Sequence, residues 1–199
     1  MKTYTRLFAH LALLAASCTA LTGCVGNISP KITAATFPTL SATAGQRLPQ
    51  KVAVLLPPEF SNYEQKLQRG FEGYSFHLGP ALDAYAQSTA QSRFQTVQVV
   101  RGSEVPAETD VELVLTPSVR KAEVTSFVTI FDTQHLTVDV EWKLTRKGEA
   151  APLWLETVEG SGEGKPLKPA VIESAIEDLW KKTVASFDKL RTLDALKAK

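Results

Sequence analysis

Apolar and polar positions alternate with different periods along this chain, and the changes of period divide it into elements. Residues 51–56, KVAVLL, form a short apolar run stopped by Pro57 and Pro58. Its length and Val content predict a strand buried on both faces. Residues 59–73 read as a polar loop carrying Phe60, Tyr63, Leu67 and Phe71, with a short helix possible over 63–69. Tyr74, Phe76 and Leu78 then alternate with Ser75 and His77, as in a half-buried strand or an extended lead-in. Gly79-Pro80 opens a helix, with proline in the first turn where its missing N–H costs little. Leu82, Tyr85, Ala86, Thr89, Ala90 and Phe94 follow at three- and four-residue spacing and share one face.

Strands come next. Residues 96–100 are one, and 111–115 begin another, where Pro117 demands an edge or a bulge before the strand resumes through Val119 and Val124. The clearest alternation puts Leu136, Val138, Val140, Trp142 and Leu144 on one side. Thr137, Asp139, Glu141, Lys143 and Thr145 take the other. Residues 146–149 make a turn and 153–158 return as a strand. A glycine-rich segment, GSGEG at 160–164, reads as a flexible connection to the last helix. In that helix Ile172, Ala175, Ile176, Leu179, Thr183, Phe187 and Leu190 form a long stripe, widened by Trp180 and Val184. Residues 191–199 are polar enough to fray. The expected fold is α+β and two-layered, a mixed or antiparallel sheet with two amphipathic helices packed on one face. It forms a single domain over 50–199.

The N-terminal residues follow no such period. Lys2 and Arg6 precede an apolar stretch over 7–16 that is too short to span a bilayer. Leu21-Thr22-Gly23-Cys24 ends it and resembles the lipobox of bacterial lipoproteins. The resemblance implies a signal peptide over 1–23, cleavage between Gly23 and Cys24, and acylation of Cys24, palmitate included. Cys18 is a rival acceptor, but it has Ala rather than Leu three places before it. Cleavage at Cys24 discards Cys18, so no internal disulfide remains possible. Val25 follows the cysteine where Asp would favour inner-membrane retention in this class, which points to the outer membrane. Residues 24–49 are rich in Pro, Gly, Ser, Thr and Ala and read as a flexible tether. Stretched out, it reaches about 80 Å. Phe37 and Leu40 are its only candidates for docking on the domain.

Composition narrows the function classes. Of 199 residues, about 176 survive cleavage, enough for one domain with a real core. The formal charge of +1 falls to about −1 when Lys2 and Arg6 leave. A chain this neutral lacks the basic stripe that nucleic-acid binding requires.

Candidate chemistry is sparse. GSGEGK at 160–165 has Glu159 and Pro166 where a Walker A loop needs glycine and a hydroxyl, so the magnesium ligand is missing. His77 and His135 have neither cysteine partners nor zinc-type spacing, and no metal or cofactor is expected. Ser118 and Ser161 sit in no nucleophile elbow. Asp139 and Glu141 share a strand face with Lys143, which reads as a solvated face rather than an acid–base pair. Phe60, Tyr63 and Phe71 are the candidate partner-binding residues, because aromatics dominate binding hot spots. Packing back onto the domain is the competing reading for all three.

The order of parts is itself informative: a lipobox, VAVLLPPEFSNYE, FHLGPALDAYAQ, FQTVQVV, DVELVLTPSVRKAEV, a long amphipathic strand and a terminal helix. It resembles small Gram-negative outer-membrane lipoproteins of the YajG-like and related uncharacterised groups. The layout is also similar to the lipopolysaccharide-assembly lipoprotein and the amino-terminal domain of TolB. The resemblance implies an envelope lipoprotein anchored through acylated Cys24, its domain facing the periplasm. The expected role is a non-enzymatic accessory or scaffold that binds an envelope protein or lipid-like component. An envelope hydrolase with an unrecognised site is the alternative.

Overall fold

The computed structural model describes residues 25–33, 36–37, 47–125, 127–129, 131–193 and 196. Among the described residues there are eight strands: β1 (Val25–Ile28), β2 (Leu48–Leu56), β3 (Glu64–Arg69), β4 (Glu72–His77), β5 (Phe94–Arg101), β6 (Leu113–Val124), β7 (Gln134–Arg146) and β8 (Pro152–Gly164). The helices are α1 (Pro58–Ser61), α2 (Gly79–Arg93) and α3 (Pro169–Ser186), and a 3₁₀ helix over Phe187–Thr192 extends α3. One sheet has the order β5-β2-β6-β7-β8 and a smaller one β1-β4-β3. Both are mixed. In the large sheet β2 is parallel to β5 and β6, while β6, β7 and β8 run antiparallel. The fold is α+β, with α2 lying along β5 and β2, α3 along β8 and β7, and the two helices touching.

The core-facing side expected of β7 holds at every position: Leu136, Val138, Val140, Trp142 and Leu144 are all fully buried. On the side expected to be wet the exception is Thr145, which is buried next to a register irregularity between Leu144 and Thr145. Trp142 is the centre of the core. Its ring meets Tyr85 and Phe187 edge-on at 5.6 and 5.2 Å between centroids, and Trp154 meets Phe187 at 5.1 Å. Its indole Nε1 donates to the Tyr85 hydroxyl at 2.8 Å. The Thr183 hydroxyl donates to the Leu179 carbonyl, leaving a lone pair to accept the Tyr85 O–H at 2.6 Å. Burial pushes the Tyr85 phenol well above its ordinary range, so it stays protonated as that donor. The chain of three bonds ties α2, α3 and β7 together at one point and leaves no donor of the three unpaired.

Three expectations change. The loop at 59–73 is largely structured: α1 is followed by the β3–β4 hairpin, and β3 occupies the span where a helix was possible. Pairing Leu67↔Tyr74 and Gln65↔Phe76 supplies a partner that an isolated helical turn lacks. The glycine-rich 160–164 segment is the end of β8, not a flexible connection. A Cβ at Gly162 would sit 2.2 Å from the Ala175 nitrogen, and one at Gly160 would sit 2.4 Å from the Leu179 Cβ. The glycines form a groove into which α3 packs, backbone against backbone. Last, part of the segment read as a tether is docked. Val25–Ile28 pairs with β4 as β1, Ile28 and Phe37 are buried, and the Phe37 ring stacks on Trp180 at 5.7 Å. Leu40 lies outside the described residues.

Pro117 meets the expectation of an edge in an unforeseen way. β6 is an interior strand, but its pairing with β2 ends at Val54↔Leu115. From Thr116 to Val124 it is paired only to β7, with a register irregularity between Val119 and Lys121.

Candidate interaction surface

The apolar side chains left most exposed are Phe71, Val128 and Phe131, at 98%, 80% and 90%. They come from two loops, and both loops are built by short-range bonding. Phe71 stands at the tip of the β3–β4 hairpin, where Arg69↔Glu72 is the last pair. Two residues make the turn, and Gly70 in first place has φ 57°, the positive value that a tight two-residue hairpin turn needs there. With its turn backbone so constrained, the following Phe71 projects into solvent.

Val128 and Phe131 stand on the β6–β7 loop, which Asp132 organises. Its Oδ2 accepts the backbone N–H groups of Val128 at 2.6 Å and Thr129 at 2.8 Å, and its Oδ1 accepts the Thr129 hydroxyl at 3.0 Å. The Thr129 Oγ1 in turn accepts the Phe131 N–H at 3.2 Å. The N–H donors of Thr129 and Val128 hold the Asp132 carboxyl below the usual carboxylate range. Phe127 tucks inward and is buried, its ring 6.3 Å from that of Tyr74.

Arg69 joins the two loops. Its Nη2 donates to the Val128 carbonyl at 2.7 Å, and its guanidinium lies 4.6 Å from the centroid of the Phe127 ring. On the other side it approaches Glu72, whose carboxylate accepts the Tyr74 hydroxyl at 2.6 Å. β1 enters at the same end of the molecule: it runs parallel to β4 with Val25 opposite Gly73. Strand spacing of about 4.8 Å and a rise of about 3.3 Å per residue put the Val25 backbone roughly 10 Å from that of Phe71.

The sequence-predicted partner-binding residues therefore separate. Phe60, at 1% exposure, is the residue of α1 that enters the core. Tyr63 is half-buried, and its carbonyl accepts the N–H groups of Leu78 and Gly79, both at 3.0 Å, closing the base of the hairpin against the start of α2. Only Phe71 is open. Val128 and Phe131 were missed, since the sequence reading passed from Val124 to Leu136 without an element between. The signal was present in FVTIFDT at 127–133, an apolar cluster interrupted by a turn-forming Thr and Asp. The lipidation and cleavage residues, Gly23 and Cys24, lie outside the described residues.

Other candidates are dispersed. His77 faces Asn27 at 3.4 Å and His135 faces Glu163 at 3.7 Å. Glu141 pairs with Arg120 at 3.6 Å, on the face opposite the helices. Among the described residues no three His, Cys, Asp or Glu side chains converge as a metal site would require, and no helix is long and apolar enough to cross a membrane.

The sequence matches no protein-family model and no curated protein. Solved structures of similar layout do exist. A Xanthomonas campestris protein, XCC0632, described by the family model DUF330, is 11% identical. The match covers 84% of this chain and 99% of that one, with a TM-score of 0.46. A minor lipoprotein from Acinetobacter baumannii is 12% identical over 73% of this chain and 95% of its own, with a TM-score of 0.39. PelC from Paraburkholderia phytofirmans, crystallised as a dodecamer, is 17% identical over 73% and 91%, with a TM-score of 0.37.

Proposed function

We propose that this chain is a lipid-anchored protein of the bacterial envelope, held in the outer membrane through acylated Cys24, whose domain binds an envelope protein or lipid-like component without catalysing a reaction. The observation that carries the reading is the Leu21-Thr22-Gly23-Cys24 sequence behind a cationic, apolar leader. The acids bear on one catalytic route alone, acid catalysis by a carboxyl group. Hydrolysis by a carboxylic acid needs a group whose pKa is raised toward neutrality. Among the described residues the displaced carboxyls all move the other way. Ser75 holds Glu64 low, Lys51 holds Asp110 low and Lys189 holds Glu156 low. Burial pushes Asp178 up, but Lys182 and the Ser161 backbone more than offset it.

Metabolic labelling with a palmitate analogue tests the anchor. The wild-type chain is expected to be labelled and shortened by its leader. Cys24→Ala is expected to accumulate as an unlabelled, full-length precursor. Normal label and processing in that variant would overturn the assignment and move it to Cys18. Crosslinking in intact cells, followed by identification of what comes down with the chain, then defines the partner.

A further inference from the structure

We infer that Phe71, Val128 and Phe131 form a membrane-docking face that enters the interfacial region of the same leaflet that holds the acyl chains. The inference rests on the Cys24 reading and adds to it an orientation of the domain. Cys24 is bonded directly to Val25, and Val25 is already in β1, opposite Gly73. No free tether intervenes between the anchor and the folded unit. The end of the small sheet where β1 starts is therefore held against the bilayer, and that end is where Phe71 projects.

The chemistry of the two loops suits lipid. Lipid penalises backbone polar groups that lack partners, and here the exposed apolar residues stand on backbone that is bonded internally. Val128 and Thr129 donate to Asp132, Phe131 donates to Thr129, and the Val128 carbonyl accepts from Arg69. The Gly70 carbonyl accepts from Gln68 at 2.8 Å. The nearby charges are engaged as well: Arg69 with Phe127, Val128 and Glu72, Glu72 with Tyr74, and Asp132 with its own loop. Two aromatic rings and a valine thus stand forward of a base whose named charges, Arg69, Glu72 and Asp132, are each paired or hydrogen-bonded. Aromatic side chains favour the membrane interface, and an acyl anchor becomes firmer when a second apolar contact joins it. Because the face carries no surplus of cations, its insertion should not require anionic lipid.

The test uses the full, processed protein reconstituted in phosphatidylcholine vesicles whose acyl chains are brominated near the headgroup. Phe71→Trp places a reporter on the proposed face. Leu155→Trp is the reference, on β8 opposite Lys143 and about 30 Å along the sheet from the start of β7. The native Trp142, Trp154 and Trp180 are buried and give a constant background. The added emission of Phe71→Trp is expected to shift to the blue and to be largely lost in brominated vesicles, while that of Leu155→Trp is unchanged. Flotation and mass spectrometry of the N-terminal peptide report the anchor on the same samples. Acylated protein that floats with Phe71→Trp unquenched would overturn the docking face and leave the anchor standing. Equal quenching at both positions would overturn it too. Quenching of Phe71→Trp without an acyl group on Cys24 would uphold the face and refute the anchor.

Discussion

A methyl group added at Gly162 should lift a whole helix. The Cβ would lie 2.2 Å from the Ala175 nitrogen and 2.6 Å from the Val171 carbonyl oxygen, both of them backbone atoms of α3. Non-bonded heavy atoms settle near 3.5–4.0 Å, so the helix must retreat by about 1 Å or more. That retreat is not local. Ile172, Ala175, Ile176 and Leu179 are fully buried along the same face, and every one of them loses contact when the axis moves. Overpacking of this kind costs about 1–3 kcal/mol. Alanine returns about 0.5–1 kcal/mol by restricting the unfolded chain. Because the clash is with helix backbone, the cost sits at the upper end of that range and the expected net loss is about 2 kcal/mol, which for a domain of this size lowers the melting temperature by about 4–8 °C.

Gly160→Ala should behave alike, because its Cβ would meet the Ala175 carbonyl oxygen at 2.6 Å and the Leu179 Cβ at 2.4 Å. Gly164→Ala is the internal control. Its nearest neighbour is a side-chain methyl, Val171 Cγ2 at 3.1 Å. Its melting temperature should stay within about 2 °C of wild type. Thermal unfolding followed by circular dichroism reads all three. A Gly162→Ala protein as stable as wild type would refute the groove, as would a Gly164→Ala protein that drops equally. Either result would return 160–164 to a yielding connection.

Two contrasts in denaturant unfolding test the assignment of inside and outside. Trp142→Asp removes the ring that joins Tyr85 and Phe187 and buries a carboxylate, so a loss above about 4 kcal/mol is expected, whereas Asp139→Ala should change stability by less than about 0.5 kcal/mol; similar midpoints would invert the strand. Phe60→Ala should cost about 3–5 kcal/mol and Phe71→Ala almost nothing, and a large loss in the latter would mean that the hairpin tip packs on the domain.

The amphipathic elements were legible because their neighbours merely accept a pattern already complete in the sequence. β7 alternates over its whole core-facing length, and α3 repeats at helical spacing from Ile172 to Leu190. Either face could be assigned without knowing what covers it. β3 was not legible, since Glu64, Gln65, Lys66, Leu67, Gln68 and Arg69 are good helix formers. Their strand state is imposed by β4 across a two-residue turn. The glycines of β8 were misread for a related reason. In sequence a glycine run signals freedom, but its meaning here depends on Ala175 and Leu179, in a helix that comes later in the chain.

The same dependence on distant partners explains the surface. Phe37, Phe60 and Phe71 look equivalent in a list of aromatics set among polar residues. Phe37 is buried because Trp180 lies beneath it, Phe60 because α1 turns it into the core, and Phe71 alone finds no cover. Burial at each position is decided by a contact that local composition does not encode. Part of the tether was misjudged in the same way, as Val25-Gly26-Asn27-Ile28 mixes two strand formers with two residues disfavoured in strands and becomes a strand against Gly73-Tyr74-Ser75-Phe76. Gly26 fits because the Tyr74 ring occupies the space a side chain would need, with Cδ1 2.9 Å from where its Cβ would stand. That pairing shortens the distance between the proposed lipid and the domain from tens of ångströms to a single peptide bond. Under the proposed anchoring, a loosely read linker thereby becomes the element that fixes which end of the protein meets the membrane.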